Sequence, residues 1–166
     1  ISLLSGLQYK NIDYKNLDEK SRNYFNKNTY ILSGLYGLLL PTDTISKYRL
    51  DFKDNLGSYK TLDTFKDIIL ENFKASETYI NLLSNEYYQI LKDKVDVVDV
   101  DFVQLVKGKL ILKSTFAKIA RGLFLNYVSK EKATTIEDLK KFNVGYTFSK
   151  DNSTSKKLVF IKNIDE

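Results

Sequence analysis

A strand signal between residues 95 and 106 limits most strongly how this chain can fold. Val95 to Val106 is rich in β-branched residues and alternates apolar with polar side chains, the pattern of a strand with one buried face. The turn Lys107-Gly108-Lys109 and a short strand over 110–113 follow it. Residues 115–130 then place apolar side chains at helical spacing, so a helix comes directly after the two strands.

Helices and strands also mix along the rest of the chain, without strict βαβ order. Asp18 is the predicted N-cap of a helix over 19–27, and residues 61–74 are predicted to form an amphipathic helix. The other predicted elements, in chain order, are a buried strand or apolar helix at 29–33, a strand at 47–52, a strand at 78–83, a helix over 84–92, a Thr135-capped helix over 136–142, and a hairpin at 145–149 and 158–162. This mixture predicts the α/β (α+β) class, with a mixed β-sheet and flanking helices.

The composition limits both the organisation of the chain and its chemistry. A chain of 166 residues without a Pro- or Gly-rich linker predicts a single domain over 1–166. Histidine and cysteine are absent, which excludes a zinc site of the usual ligands. We expect no metal site and no cofactor, with Mg²⁺ on carboxylates as the alternative. Any chemistry must use carboxylates, Lys, Arg, Tyr, Ser or Thr.

The hydropathy and the N-terminus of the chain predict its cellular location and its extent. No apolar run approaches the roughly 18 residues of a membrane span, and no signal peptide opens the chain, so we expect a cytoplasmic protein without membrane contact. The chain opens on Ile1 and contains no methionine. We therefore expect that a further N-terminal part precedes it.

The positive charge of the chain is unevenly distributed. Residues 1–50, 51–100 and 101–166 carry net charges of +3, −4 and +6. Two basic segments around an acidic one are compatible with a face that binds a polyanion. The alternative is that the charge reflects composition alone, because AT-rich genomes produce proteins rich in Lys, Asn, Ile and Tyr without selection for binding.

Four blocks of sequence, in order, carry a resemblance to a known family. They are LSGLYGLLLPTD at 32–43 followed by YRL at 48–50, NLLSNEY at 81–87, AKIARG at 117–122, and Gly145-Tyr146 followed by LVF at 158–160. In these blocks the chain resembles the YaaA peroxide stress protein family. The resemblance implies that the chain is the C-terminal two-thirds of such a protein. The family's usual N-terminal segment, which contains a Lys, has no counterpart here.

The resemblance implies a bacterial protein linked to hydrogen-peroxide stress, with an α/β fold. It also implies affinity for duplex or branched DNA through a helix-hairpin-helix-like element. The turn Gly34-Leu35-Tyr36-Gly37 lies between apolar segments, as the turn of such an element does. Glycines there would let backbone N–H groups approach phosphate oxygens. A tight packing turn in the core is the alternative.

Seven residues are therefore candidates for contact with the DNA backbone: Ser33, Gly34, Tyr36, Gly37, Arg49, Lys118 and Arg121. Lys118 and Arg121 lie three residues apart on the helix over 115–130, and so share one face. There they could clamp a phosphate, with the Arg121 guanidinium binding its oxygens bidentately. An ordinary solvated helix face is the alternative interpretation of the same spacing.

Five further polar residues are candidates for a cleft: Asp43, Asp51, Ser84, Glu86 and Tyr87. Ser84 and Glu86 follow a predicted strand, where ligand sites are common, although an N-cap and its dipole partner would explain them equally. Asp43 and Asp51 flank Arg49 in the sequence. They either form a structural ion pair with Arg49, hold Mg²⁺, or act as acid and base.

Two functions follow from these candidates. The first is a non-catalytic protein that binds DNA without sequence preference. The second is an enzyme acting on nucleic acid or nucleotides, either a lyase-type glycosylase using Lys118 with a carboxylate, or a Mg²⁺-dependent hydrolase using Asp43, Asp51 or Glu86. Convergence of Lys118, Arg121 and Glu86 in one polar cleft, with a buried Lys, would favour the enzyme.

Overall fold

The computed structural model describes residues 4, 6–51, 54–57 and 59–164. Within these residues the strands are β1 (Ile31–Ser33), β2 (Gly37–Leu39), β3 (Asn55–Leu56), β4 (Tyr59–Lys60), β5 (Tyr79–Asn81), β6 (Val97–Val106), β7 (Lys109–Ile111), β8 (Thr147–Phe148) and β9 (Lys157–Asn163). The helices are α1 (Leu7–Lys10), α2 (Glu19–Asn28), α3 (Thr61–Leu70), α4 (Asn85–Tyr88), α5 (Ser114–Glu131) and α6 (Ile136–Lys140), with a 3-10 helix at Tyr14–Asn16.

The central element is a mixed five-stranded sheet built around β6. Strand β6 pairs in parallel with β5 on one side and with β9 on the other, and β8 pairs antiparallel with β9. Strand β7 pairs antiparallel with the end of β6 across the turn at Lys107-Gly108. The strand predicted from Val95 to Val106 is therefore the centre of the sheet, and the predicted mixed α/β fold is confirmed.

Aromatic rings fill the space between the sheet and helices α5 and α6. The ring of Phe102 on β6 lies 5.4–5.9 Å, centroid to centroid, from the rings of Phe124, Phe142, Tyr146 and Phe160. All five side chains are buried. Each buried aromatic ring of this kind stabilises a fold by roughly 1.5–3 kcal/mol, so this cluster anchors α5 firmly on the sheet.

Two helices begin as their capping residues predict. Asp18 caps α2 by accepting a hydrogen bond of 2.9 Å from the Ser21 amide. Thr135 caps α6 through a capping box in which its hydroxyl accepts from the Asp138 amide, and Asp138 bonds back to the Thr135 amide.

The segment from residue 29 to residue 51 differs from its prediction in two ways. The turn Gly34–Gly37 joins two antiparallel strands, β1 and β2, so a helix-hairpin-helix element at this turn is not confirmed. A glycine turn between short apolar segments does not itself distinguish helices from strands. The predicted strand at 47–52 is wrong for residues 47–51, which have no regular structure, and its residue 52 lies outside the described residues.

Helix α4 is shorter than predicted. It ends at Tyr88, and turns continue from there to residue 94. Ser84 occupies the N-cap position of α4, but its side chain accepts no capping hydrogen bond. A helix of four residues makes only one turn, which helix propensity alone does not stabilise. The buried side chains of Ile90 and Leu91 pack in the core and hold this region in place.

Candidate functional site

A large cleft runs along α1, α2, the segment 45–51, β5 and its junction with α4, α5 and the α5–α6 connection, and we call it the cleft from here on. Its volume is about 1560 Å³. Seven of the twelve candidate residues line it: Arg49, Asp51, Ser84, Glu86, Tyr87, Lys118 and Arg121. The structure thus brings together residues that lie up to 72 positions apart in the sequence, between Arg49 and Arg121.

Helix α5 presents one polar face to the cleft. Ser114, Lys118 and Arg121 all line it, and their spacing of four and three residues places them on one side of the helix. Lys118 is exposed, whereas Arg121 is half-buried and its Nε atom has no hydrogen-bond partner among the described residues. Burial lowers the pKa of Arg121, and Asp101 opposes this shift. An arginine remains protonated in proteins despite such a shift, so α5 contributes two cations.

The segment 45–51 contributes the cleft's second group of polar residues. Arg49 is exposed, and Tyr48 is held in place by its hydroxyl, which donates a hydrogen bond of 2.6 Å to Ser33 Oγ. The ring of Tyr48 also packs edge-on against Tyr36, with centroids 5.4 Å apart. Because this segment lacks regular structure, these side-chain contacts fix where Arg49 lies.

Ser33, Gly34 and Gly37 lie outside the cleft and are buried. Ser33 Oγ accepts hydrogen bonds from the amides of Leu35 and Tyr36, at 3.2 and 2.9 Å. A Cβ on Gly34 would lie 2.5 Å from the Leu50 carbonyl oxygen. These contacts close a tight turn against the segment 45–51, so the packing alternative explains the glycines without a phosphate.

Gly37 and Tyr36 also serve local packing. Gly37 has a φ of +72°, and a Cβ there would lie 2.9 Å from the ring of Phe65. Tyr36 does not line the cleft, and its hydroxyl accepts a hydrogen bond from the Ser46 amide at 3.2 Å. Tyr36 therefore supports the segment that carries Arg49, whereas Gly37 allows the ring of Phe65 on α3 to pack closely on the turn.

The carboxylates of Asp43 and Asp51 take different positions. Asp43 lies outside the cleft, where its side chain accepts a hydrogen bond of 2.8 Å from the Leu40 amide and closes a turn. Asp51 lines the cleft and accepts a hydrogen bond of 3.2 Å from the Tyr87 hydroxyl. Burial raises the pKa of Tyr87, and Asp51 raises it further. Among the described residues, no group of three or more acidic side chains is placed to hold a metal ion.

The charge of the cleft is mixed, with an excess of cations. Five basic and three acidic residues line it, namely Lys27, Arg49, Lys118, Arg121 and Lys156, with Asp51, Glu77 and Glu86. Lys156 forms an ion pair with Asp96, and the other partner of Asp96 is the Thr78 hydroxyl. The excess of two positive charges fits an anionic ligand.

Sequence reasoning missed most of the tyrosines that line the cleft. Besides Tyr87 they are Tyr9, Tyr24, Tyr30, Tyr48 and Tyr79. Tyr9 lies on α1, a helix of four residues that is too short to produce a periodic pattern. Burial raises the pKa of Tyr9 to about 12, with a smaller contribution from Tyr48.

No helix in the described part of the chain is both long and apolar enough to cross a membrane.

Comparison with known proteins identifies the family to which the chain belongs. The family described as "Peroxide stress protein YaaA" matches residues 1–152.

Curated relatives match nearly the whole chain. A UPF0246 protein of Finegoldia magna is 41% identical over 99% of this chain and 69% of its own length. A UPF0246 protein of Clostridioides difficile is 36% identical over 95% of the chain and 67% of its own length. A UPF0246 protein of Flavobacterium johnsoniae is 41% identical over 80% of the chain and 57% of its own length. The chain thus spans about two thirds of these relatives or less, and it belongs to the YaaA peroxide stress protein family.

Proposed function

We propose that this chain binds DNA without sequence preference, through cations that line the cleft, as part of a bacterial response to peroxide. The observation that carries this proposal is the shared position of Arg49, Lys118 and Arg121. They come from two separate elements, yet all three line the cleft. Contacts with phosphate oxygens need cations arranged on one surface, and do not read the base sequence.

The geometry of α5 favours a backbone contact. Lys118 is exposed and can act as a point charge, while the recessed Arg121 has a buried Nε without a partner among the described residues. A guanidinium can donate two parallel hydrogen bonds to a phosphate. Ser114, on the same helix face, adds a hydroxyl donor.

The test is fluorescence-anisotropy binding to duplex and four-way-junction DNA over a series of salt concentrations. We expect binding that weakens steeply with salt and that Lys118→Ala/Arg121→Ala loses, with little dependence on the base sequence. Absence of binding at low salt would refute the proposal.

An enzyme acting on nucleic acid is the second candidate, and one observation favours it. Lys118, Arg121 and Glu86 line the same cleft, as a catalytic arrangement would require. Against it, Lys118 is exposed, so burial does not make its amine a better nucleophile. Incubation of the protein with DNA that contains abasic sites, in the presence of borohydride, would distinguish the enzyme from a protein that only binds DNA. A trapped covalent adduct that Lys118→Ala abolishes would establish the enzyme, whereas DNA that stays intact and unlinked supports binding alone.

A further inference from the structure

Strand β7 forms an open edge of the sheet. It pairs antiparallel with β6, with Gln104 to Val106 opposite Ile111 to Lys109. Strand β9 also pairs with Gln104 and Leu105, so β7 lies on the side of β6 away from β9. No second strand pairs with β7 among the described residues. The backbone N–H and C=O groups on its outer side are therefore a template for one further strand.

The side chains of β7 and of the residue after it are apolar and uncovered. Leu110, Ile111 and Leu112 follow one another, and each is between 38 and 51% exposed. Side chains alternate between the two faces of a strand, so the described residues cover neither face. An unbroken apolar run is typical of a strand that is buried on both faces. The sequence of β7 thus fits a covered strand, although its surroundings leave it open.

Cations frame this apolar run. Lys109 precedes it and Lys113 follows it, each two residues from Ile111, and Lys113 still has an extended backbone with φ −107° and ψ 116°. Both lysines are exposed, and the sequence from 102 to 130 contains no acidic residue. Charges beside an apolar edge strand discourage aggregation, which explains the lysines but not the apolar side chains between them. The edge therefore fits a partner that is apolar at its centre and acidic at both ends.

A neighbouring aromatic ring extends this surface. Phe116 in the first turn of α5 is exposed, and the Lys113 ammonium lies 6.0 Å from its ring centroid. We call residues 109–113 together with Phe116 the β7 surface. None of these residues lines the cleft, so the β7 surface is separate from the site proposed for DNA.

We propose that the β7 surface binds an extended peptide segment of another protein, which adds a strand to β7. Main-chain hydrogen bonds along the free edge hold the segment, and its alternate side chains select it. A segment of five residues matches the surface when three apolar residues lie between two carboxylates. The carboxylates then lie opposite Lys109 and Lys113. Because this pattern is symmetric, it fits a parallel or an antiparallel strand.

The charges of the β7 surface disfavour pairing with a second copy of this chain. An antiparallel pair centred on Ile111 would set Lys109 opposite Lys113 of the other copy, and like charges directly opposite one another destabilise a strand pair. Phosphates of nucleic acid would neutralise the lysines, but would leave the apolar side chains in water. An acidic and apolar peptide satisfies the charges, the apolar side chains and the free backbone groups together.

Three peptides test the charges and the backbone contact separately. The first has the core Glu-Leu-Val-Leu-Glu and a fluorescein label, and its binding to the protein is measured by anisotropy. The second replaces both Glu residues by Lys. The third carries N-methyl groups on its three apolar residues, which removes their hydrogen-bond donors. We expect only the first peptide to bind the wild type, because only it offers both opposite charges and a free backbone.

Charge reversal provides a test that misfolding cannot imitate. In Lys109→Glu/Lys113→Glu the preference should invert, so that the Lys peptide binds about tenfold more tightly than the Glu peptide. A protein that failed to fold would bind neither peptide. Lys130→Glu/Lys150→Glu makes the same change of charge at two exposed positions outside the β7 surface, and it should keep the wild-type preference.

The apolar contact has its own pair of variants. Ile111→Ser removes the apolar side chain at the centre of the β7 surface and should weaken binding of the Glu peptide about tenfold. Val144→Ser removes another exposed β-branched side chain, which lies outside the β7 surface. It should bind the Glu peptide as the wild type does.

An inverted preference in the charge-reversed variant, with weaker binding in Ile111→Ser, would establish the proposal. Binding of no peptide, or equal binding of the Glu and Lys peptides, would overturn it.

Three further results would overturn the proposal by identifying another occupant. A dimer in sedimentation that Ile111→Ser dissociates would assign the β7 surface to a second copy. Slow hydrogen exchange of the outward amides of β7 without peptide would show that the protein's own chain covers the edge. Loss of DNA affinity in Lys109→Glu/Lys113→Glu, without peptide binding to the wild type, would assign the lysines to nucleic acid.

Discussion

Gly122 of α5 lies directly against Gln8 of α1, so closely that a Cβ at position 122 would be 2.2 Å from the Gln8 carbonyl oxygen. The same Cβ would be 2.7 Å from Cβ of Asn11. Only a glycine allows this approach of the two helices. Because Gln8 and Tyr9 of α1 line the cleft, this contact also sets one part of the cleft's shape.

Replacing Gly122 by alanine should therefore destabilise the protein. Overpacking costs about 1–3 kcal/mol, while alanine recovers up to about 1 kcal/mol of helix propensity. The steric cost dominates because the obstructing atom belongs to the backbone and cannot rotate away. Urea denaturation of Gly122→Ala should show a net loss of about 1–2 kcal/mol in the free energy of unfolding.

Gly6→Ala is the matched control for this substitution, because the nearest atom to its new Cβ, on the Tyr9 ring, is 3.5 Å away. The loss of stability in Gly6→Ala should be smaller. A Gly122→Ala protein as stable as the wild type would contradict the close packing of α1 on α5.

The hydrogen bond from Tyr48 to Ser33 joins the segment 45–51 to the β1–β2 turn. Ser33 is buried and its Oγ accepts from three donors. Ser33→Ala leaves those donors without their acceptor and should lower the free energy of unfolding by about 1–3 kcal/mol. Tyr48→Phe removes one donor and should lower it by less. The double variant should lose less stability than the two single variants added together, because both remove the same bond.

Tyr14→Phe provides the control for this cycle. The Tyr14 hydroxyl donates to Asn26, and its ring packs on the cluster of Ile12, Leu17 and Phe25, which does not include Ser33. Because the two sites share no partner, its loss should add to that of Ser33→Ala. Additivity in the Ser33 and Tyr48 pair as well would show that their hydrogen bond does not couple the two segments.

Stability in acid should depend on Asp138 of the α6 capping box. The Thr135 hydroxyl, Lys141 and the Thr134 amide donate hydrogen bonds to its carboxylate, and they lower its pKa from 3.8 to about 2. Because the folded-state pKa lies below the unfolded value, this stabilisation is complete above pH 3.8 and is lost as the pH falls towards 2.

The urea midpoints of wild type and Asp138→Asn, measured across this range, test the assignment. The difference between them should be largest above about pH 4 and should shrink as the pH approaches 2. A difference that stays constant, or that grows as the pH falls, would show that the charge of Asp138 is not what stabilises the α6 N-terminus.

The sequence predicted those parts of the fold that have long periodic patterns. Strand β6 and helix α5 are found where the alternation from Val95 and the helical spacing from Thr115 predicted them. The spacing of Lys118 and Arg121 likewise predicted a shared face, because a helix fixes that geometry locally.

Features set by distant contacts could not be predicted in this way. The sequence left the segment before Gly34 open as a strand or a helix, because the glycines show a tight turn but not the elements that flank it. Tyr48 was not a candidate, since its place depends on Ser33, 15 residues away, and on a segment without regular structure. Tyr9 was missed because α1 is a single turn held by packing on α5.

The measurement that tests the central claim most directly is the salt dependence of DNA affinity in two variants of equal charge. Lys118→Ala/Arg121→Ala removes two cations from the cleft, and Lys130→Ala/Lys150→Ala removes two exposed cations outside it. Urea midpoints check that each variant is folded.

We expect the slope of log K against log salt to decrease in magnitude by about 1–2 in the cleft variant only, because each lost phosphate contact releases about one counterion fewer. The Lys130 and Lys150 variant should keep the wild-type slope. Equal changes of slope in both variants, or an unchanged slope in the cleft variant, would contradict the assignment of DNA binding to the cleft.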